Sequence, residues 1–175
     1  MDEIPYIVSI IPARAGSKRI PGKNKLQFQD QSMIEWSVKF SISCKTIKDT
    51  IISTDDLEIK KICENYNVKL HPRPKSLSGD ESSTFDLIKE IYFNYLSRKP
   101  DIIVLLQPTS PLREKNVLTK AMNVIEKNED WSTVIEVFPI QYFTGEIRKG
   151  IWFSDMPETT RSQEIPKKFV PSGRL

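Results

Sequence analysis

Apolar residues follow two rhythms along this chain, compact runs and helically spaced positions, and the two alternate. The first run, Tyr-Ile-Val-Ser-Ile-Ile at 6–11, is bounded by proline and glycine and predicts a buried strand. Ser32-x-x-Glu35 has the form of a capping box and opens a predicted helix over 33–44. There Ile34, Val38 and Ile42 recur at helical spacing, and Trp36 and Phe40 are expected in the core. Residues 50–53 read as a second strand closing on Thr54-Asp55-Asp56, one of whose acids is expected to cap a helix over 57–66. Ile59, Ile62, Cys63 and Tyr66 would face inward from that helix. A short strand at 68–70 leads into a Pro-, Ser- and Gly-rich loop over 71–80. Ser83 and Thr84 open a longer helix with Phe85, Ile88, Ile91, Tyr92 and Tyr95 on a wide apolar face. The run 101–106 predicts a central parallel strand, followed by a helix near 115–127 and a strand at 133–137.

Strand and helix thus alternate four times, which implies βαβ units and an α/β fold, a Rossmann-like three-layer αβα sandwich with a mostly parallel sheet. From Phe138 the rhythm breaks down. Residues 146–154, centred on Lys149-Gly150, predict a hairpin, and 154–168 is polar with no clear period. The expected organisation is a core of residues 1–138 and a C-terminal β-arm of residues 139–175.

Composition narrows the classes. At 175 residues, 38% hydrophobic and 28% charged, the chain suits an ordinary soluble domain with a substantial core. A net charge of +3 without a basic stripe argues against nucleic acid as a partner. No run approaches membrane-spanning length, and Met-Asp-Glu-Ile-Pro is no signal sequence, so a cytoplasmic location away from membranes is expected. Cys44 and Cys63 stand apart from any metal-spaced partner and read as small buried hydrophobes. One histidine, His71, and no Gly-x-Ser-x-Gly argue against a Ser-His-Asp hydrolase or a histidine-rich metal site.

The chemistry concentrates in residues 13–24, directly after the first strand. This loop holds Arg14, Lys18, Arg19 and Lys23, two glycines and Ser17, and no acid. Packed cations repel one another unless an anion sits among them, and glycines let backbone N–H groups turn towards it. It is neither a Walker A loop, since Gly16 and Gly22 enclose five residues and Asn24 replaces the hydroxyl, nor a Gly-x-Gly-x-x-Gly turn. A solvated basic surface loop is the alternative. Its place at a strand's carboxyl end, where open α/β sheets bind ligands, favours an anionic ligand. Ser53-Thr54-Asp55 and Gln107-Pro-Thr-Ser-Pro would open on the same edge, although the first also reads as a helix cap and the second as a stiff turn.

Ile11-Pro-Ala-Arg-x-Gly-Ser-Lys-x-Ile-Pro-Gly-Lys-Asn24 resembles the signature loop of the acylneuraminate cytidylyltransferases, the CMP-sialic acid synthetases and their relatives. Val104-Leu-Leu-Gln-Pro-Thr-Ser-Pro-Leu-Arg113 is similar to a second signature of that family. Arg73-Pro74 with Leu77, Asp80, Ser83 and Thr84 resembles its nucleotide-side loop, and Arg161-x-Gln163-x-Ile165-Pro166 its Arg-x-Gln-x-Leu-Pro segment. Four blocks in family order cover nearly the whole chain.

The resemblance implies a fold of the nucleotide-diphospho-sugar transferase type and a cytidylyl transfer from CTP to an acidic sugar, assisted by Mg²⁺. It implies that Arg14 and Lys23 act catalytically on the triphosphate, that Ala13, Gly16 and Ser17 add CTP-binding donors, and that Asn24 fixes ligand geometry. Arg73, Ser83 and Thr84 would contact the cytidine, and Gln107, Thr109, Ser110, Arg161 and Gln163 the sugar. It also implies a homodimer formed through the arm, whose Ile140, Tyr142, Phe143, Ile151, Trp152 and Phe153 suit an interface; a hairpin folded on its own domain is the alternative. Members of that family run past this length and carry there the acids proposed to bind Mg²⁺. No metal ligand is therefore assigned within residues 1–175, and Pro171-Ser-Gly-Arg-Leu175 departs from the family's Pro-Asn-Gly-Ala-Ile, as if the chain were cut short or completed by a partner. Two other readings stay open: another sugar-nucleotide pyrophosphorylase of this fold, and a nucleotide-binding subunit with little or no activity.

Overall fold

The computed structural model describes residues 4–17, 20–79, 81–128, 130, 132–157 and 159–172. Lys18, Arg19 and Asp80, together with Gly173 and Arg174, lie outside the described residues. Four parallel strands form the main sheet: β1 (Ile7–Pro12), β4 (Ile47–Thr54), β5 (Lys69–Pro72) and β6 (Ile102–Leu105), in the order β5-β4-β1-β6. A small antiparallel pair, β2 (Gln27–Phe28) and β3 (Gln31–Ser32), precedes helix α1 (Met33–Ser43). Helix α2 (Leu57–Asn65) joins β4 to β5, α3 (Thr84–Glu90) joins β5 to β6, and α4 (Val117–Glu126) follows β6.

Strand periodicity sorts the core into two layers. Ile7, Ile11 and Ile52 point to one face, against Ile34 and Val38 of α1, Ile59 and Cys63 of α2, and Leu118 of α4. Val8, Ile10 and Ile51 point to the other, against Leu87 of α3 and the Ile91 and Leu96 that follow it. The chain moves outward from β1 to β4 to β5 and then returns across the sheet to β6. The direction of winding therefore reverses beside β1, and such switch points are where open α/β sheets leave a crevice at their carboxyl ends. This is the expected α/β sandwich.

Helix starts agree with the sequence reading. Glu35 accepts from the Ser32 backbone N–H at 2.9 Å, closing the capping box, and Asp56 caps α2 by accepting from Glu58 N at 2.8 Å. Several expectations need correction. β6 is an edge of the four-stranded sheet rather than a central strand; its apolar run reflects cover on both faces, with Val104 in one cluster and Ile103 against the other. The strand expected at 133–137 begins only at Val137 and belongs to no βα unit. Ile42 is 52% exposed, because α1 turns Ser37 and Ser41 inward instead. Ser41 Oγ lies 2.6 Å from Ser9 Oγ and 2.7 Å from Thr50 Oγ1, so a buried hydroxyl chain satisfies what an apolar residue would otherwise fill. Phe85 is exposed and Leu87 takes its place in the core. The helix after Ser83 is also not uniform: residues Ile91–Tyr95 form a π-helical turn.

Residues Ile135–Ser172 form a separate compact unit. Within it β7 (Val137–Ile140) pairs antiparallel with β10 (Lys168–Pro171), and β8 (Gly145–Arg148) pairs with β9 (Ile151–Ser154). The β8–β9 turn is the two residues Lys149 and Gly150, with φ of 48° and 80°, the left-handed pair that suits a tight hairpin. Tyr142, Phe143, Ile151, Trp152 and Phe153 are all exposed, while Ile140 is half-buried.

Candidate functional site

Three chain segments meet at the carboxyl ends of β1, β4 and β5. Ala13, just past β1 and fully buried, donates its N–H to Ser53 O at 2.9 Å and accepts at its own carbonyl from Thr54 Oγ1 at 2.6 Å. Thr54 Oγ1 also accepts from Asp56 N at 3.0 Å, so one buried hydroxyl ties the start of the β1 loop to the start of α2. Two residues further along the loop, Ala15 donates its N–H to Asp55 Oδ1 at 2.7 Å. Asn24, 5% exposed, reaches back from the other end of the loop and donates from Nδ2 to Arg14 O at 3.1 Å. The described ends of the loop are thus tied down by the chain itself.

Arg14 is turned towards the loop after β5. Its Nη1 donates to Ser78 O at 3.2 Å and to Gly79 O at 2.7 Å. Arg73 stands at the start of that loop, with its backbone N–H on Thr54 O at 3.0 Å and its Nε on Leu77 O at 2.8 Å. Burial lowers the Arg73 pKa, Asp55 opposes that shift, and Arg14 adds to it. Both neighbours are therefore close enough to bear on its charge. Behind Arg73, His71 is 3% exposed, with Nδ1 2.9 Å from Ser53 Oγ and its ring edge-on to Tyr95 at 5.0 Å. Burial holds this imidazole below its ordinary pKa, so it sits neutral in the wall of the site.

The remaining expected residues are placed as follows. Gly16 is exposed, and nothing lies within 4 Å of where a side chain would begin there. Ser17 and Lys23 are half-buried on the same loop. Ser83 caps α3, its Oγ accepting from Asp86 N at 3.0 Å, and so sets the first helical residue, Thr84. Gln107 follows β6 beside the end of β1, where Leu106 N donates to Ile10 O at 2.9 Å. Thr109 is exposed and Ser110 donates its N–H to Gln107 O at 3.1 Å, closing the turn. Arg161 and Gln163 are exposed residues of the second unit.

Some contacts of the site carry no signal in the sequence. Thr54 and Asp55 are expected on this edge or as helix caps, but their partners Ala13 and Ala15 are not legible from spacing. The carbonyls of Ser78 and Gly79 carry no side-chain signal at all. Arg113 stood in a motif without a role. Its Nη1 donates to Ser37 Oγ at 3.0 Å and its Nη2 to Gln107 O at 2.6 Å, bracing the turn against α1. A cavity of about 480 Å³ lined by Trp36, Lys39, Phe40 and Leu112 to Glu114 contains none of the expected site residues.

An edge that carries Arg14, Arg73 and Lys23 beside the exposed Gly16 suits a phosphate-bearing ligand. The family described as Cytidylyltransferase matches residues 8–145, four-fifths of the chain and every segment of this edge. The chain belongs to the cytidylyltransferase family. It is 32% identical over 134 residues to the N-acylneuraminate cytidylyltransferase of Escherichia coli O18:K1:H7, covering 75% of this chain and 31% of that protein. It is 29% identical over 172 residues to the pseudaminic acid cytidylyltransferase of Campylobacter jejuni serotype O:23/36, covering 94% of this chain and 74% of that one. The chain spans only about a third of the first relative's length. Among solved structures, a CMP:2-keto-3-deoxy-manno-octonic acid synthetase complexed with CTP matches with a TM-score of 0.63 at 21% identity, over 77% of this chain and 53% of that one, a likeness of fold.

A divalent cation such as Mg²⁺ would need several oxygen donors converging on one point. Among the described residues no three His, Cys, Asp or Glu side chains converge. Asp55 already accepts from Ala15 N and bears on the charge of Arg73, which Arg14 also influences, surroundings that suit an anion rather than a divalent cation. The described residues do not fit a resident metal. Among them, too, no helix is long and apolar enough to cross a membrane.

Proposed function

We propose that this chain carries the nucleotide end of an enzyme that transfers CMP from CTP to the anomeric hydroxyl of a sialic acid or related nonulosonic acid. The sugar oxygen bonds to the α-phosphorus, the bond from that phosphorus to the bridging oxygen breaks, and pyrophosphate leaves with the electron pair while the hydroxyl proton passes to solvent. The observation that carries the reading is the braced cationic loop at the carboxyl end of β1, in a chain matched by the family over residues 8–145. The names of the relatives support the acidic sugar.

Phosphoryl transfer asks the protein mainly to position the phosphates and neutralise their charge. Arg14 and Lys23 are assigned to the triphosphate, with Ala13, Gly16 and Ser17 as backbone or hydroxyl donors and Asn24 holding the Arg14 carbonyl. Arg73 and Thr84, the latter set by Ser83, are assigned to the cytidine. Gln107, Thr109 and Ser110 are assigned to the sugar, as are Arg161 and Gln163 on the likeness of their segment alone, an arginine being the natural partner of a carboxylate. Mg²⁺ enters this reading only as a companion of the nucleotide phosphates. A cytoplasmic setting is proposed from the use of CTP and agrees with the free thiols of Cys44 and Cys63. A homodimer is proposed from the exposed aromatic residues of the second unit.

The test is Arg14→Ala and Lys23→Ala, assayed for CTP-dependent pyrophosphate release with N-acetylneuraminate or its bacterial analogues. Both are expected to lose at least about 100-fold in kcat/KM with a native circular dichroism spectrum. Retained activity in both would remove the loop from the mechanism.

A further inference from the structure

Groups that suit a polyphosphate are already occupied by the chain itself. The Ala15 N–H meets Asp55 Oδ1 at 2.7 Å, and Arg14 Nη1 meets the carbonyls of Ser78 and Gly79 at 3.2 and 2.7 Å. A carboxylate oxygen on a loop N–H, near enough to the Arg73 guanidinium to bear on its charge, offers the same chemistry as a phosphate oxygen. Asp55 is exposed, so moving its side chain uncovers no buried surface.

We propose that Asp55 is an internal counter-anion: a protein carboxylate that occupies the phosphate-binding end of the β1 loop and opposes any polyphosphate that enters. The inference rests on the nucleotide reading above. It assigns Asp55 a part beyond capping or loop support, that of setting affinity for the phosphates. Asp56 is the residue that caps α2, which leaves Asp55 without a helical duty. The cluster also has a reason to keep one acid. Arg14 raises the cost of charge on Arg73, and Asp55 relieves it until a ligand does so.

The sign of one measurement separates this from a supporting role. A residue that merely holds the loop in shape, once removed, weakens binding; a competing anion, once removed, strengthens it. Inorganic tripolyphosphate and CTP are titrated calorimetrically into the full chain and into Asp55→Asn and Asp55→Ala. Asparagine keeps the acceptor at Oδ1 and loses the charge, whereas alanine loses both. Removing one negative charge a few ångströms from a ligand carrying about four should tighten tripolyphosphate about five- to twentyfold at low salt, less at high salt.

Tightening in both variants that shrinks with salt supports the proposal. Equal or weaker binding in both overturns it, as does tightening in alanine alone, which would exclude charge as the cause. Should Asp55→Ala fail to fold, Asp55→Asn carries the test by itself. If the unaltered chain binds CTP while the variants bind no better, the counter-anion falls and the nucleotide reading stands. If neither ligand binds to any of the three proteins, both fall.

Discussion

Thr54 is the hinge-pin of the site, and Thr54→Val isolates it. Its hydroxyl is fully buried, donates to Ala13 O at 2.6 Å and accepts from Asp56 N at 3.0 Å. Valine keeps the shape and removes both bonds. A buried group left without its partner costs about 1–3 kcal/mol, and the Asp56 N–H is only part-buried, so the loss should total about 2–4 kcal/mol. Thr54→Ser keeps both bonds and removes one buried methyl, at about 1 kcal/mol. In a unit of this size Thr54→Val should lower Tm by roughly 6–15 °C, and Thr54→Ser by no more than about 5 °C. The assay is urea unfolding followed by far-ultraviolet circular dichroism, with the midpoint shifting at constant slope. The reasoning is refuted if Thr54→Val stays within about 0.5 kcal/mol of the parent, or if serine is as damaging as valine.

His71 gives a pH signature. Burial holds its pKa below the ordinary 6.5, so the folded chain binds that proton more weakly than the unfolded one. Stability should be complete above about pH 6.5 and fall as the pH drops from there towards the folded value; His71→Gln should flatten the slope, measured as urea midpoint against pH. Persistence of the slope in that variant would assign it elsewhere. Arg113→Lys cannot fork between Ser37 Oγ and Gln107 O, so KM for the acidic sugar should rise about tenfold with CTP affinity little changed, read by steady-state kinetics and calorimetry. A parallel loss of CTP affinity would place Arg113 on the nucleotide side. At Gly145 a Cβ would stand 2.1 Å from Phe153 O and 2.7 Å from the Trp152 ring, so Gly145→Ala should open the β8–β9 hairpin at a cost of about 3 kcal/mol, seen as faster proteolysis near that turn. Unchanged cleavage would contradict that contact.

Much of this was legible because it is local. The capping box at Ser32 and Glu35, the Asp56 cap and the Lys149-Gly150 turn are encoded within two to four residues and appear where the sequence puts them. What was not legible depends on neighbours distant in sequence. Periodicity counted Ile42 as core, yet the β4 strand offers α1 the Thr50 hydroxyl, and Ser41 answers it from the face that Ile42 would need. The β6 run reports cover on two faces and is silent on how many strands flank it, so edge and centre read alike. At the site, charge and glycine content marked the β1 loop, but the brace from Thr54 and the carbonyl contacts of Arg14 arise only when β4 and the β5 loop arrive beside it.

The central claim is that this edge takes CTP and passes its CMP to an acidic sugar. The most direct measurement incubates the chain with Mg²⁺, each of the four ribonucleoside triphosphates in turn, and N-acetylneuraminate or pseudaminic acid, following pyrophosphate release and the sugar nucleotide formed. The account predicts release with CTP alone, dependent on the sugar, with a CMP-sugar as product. Release with a different triphosphate, or CTP binding with no product for any acidic sugar, would contradict it.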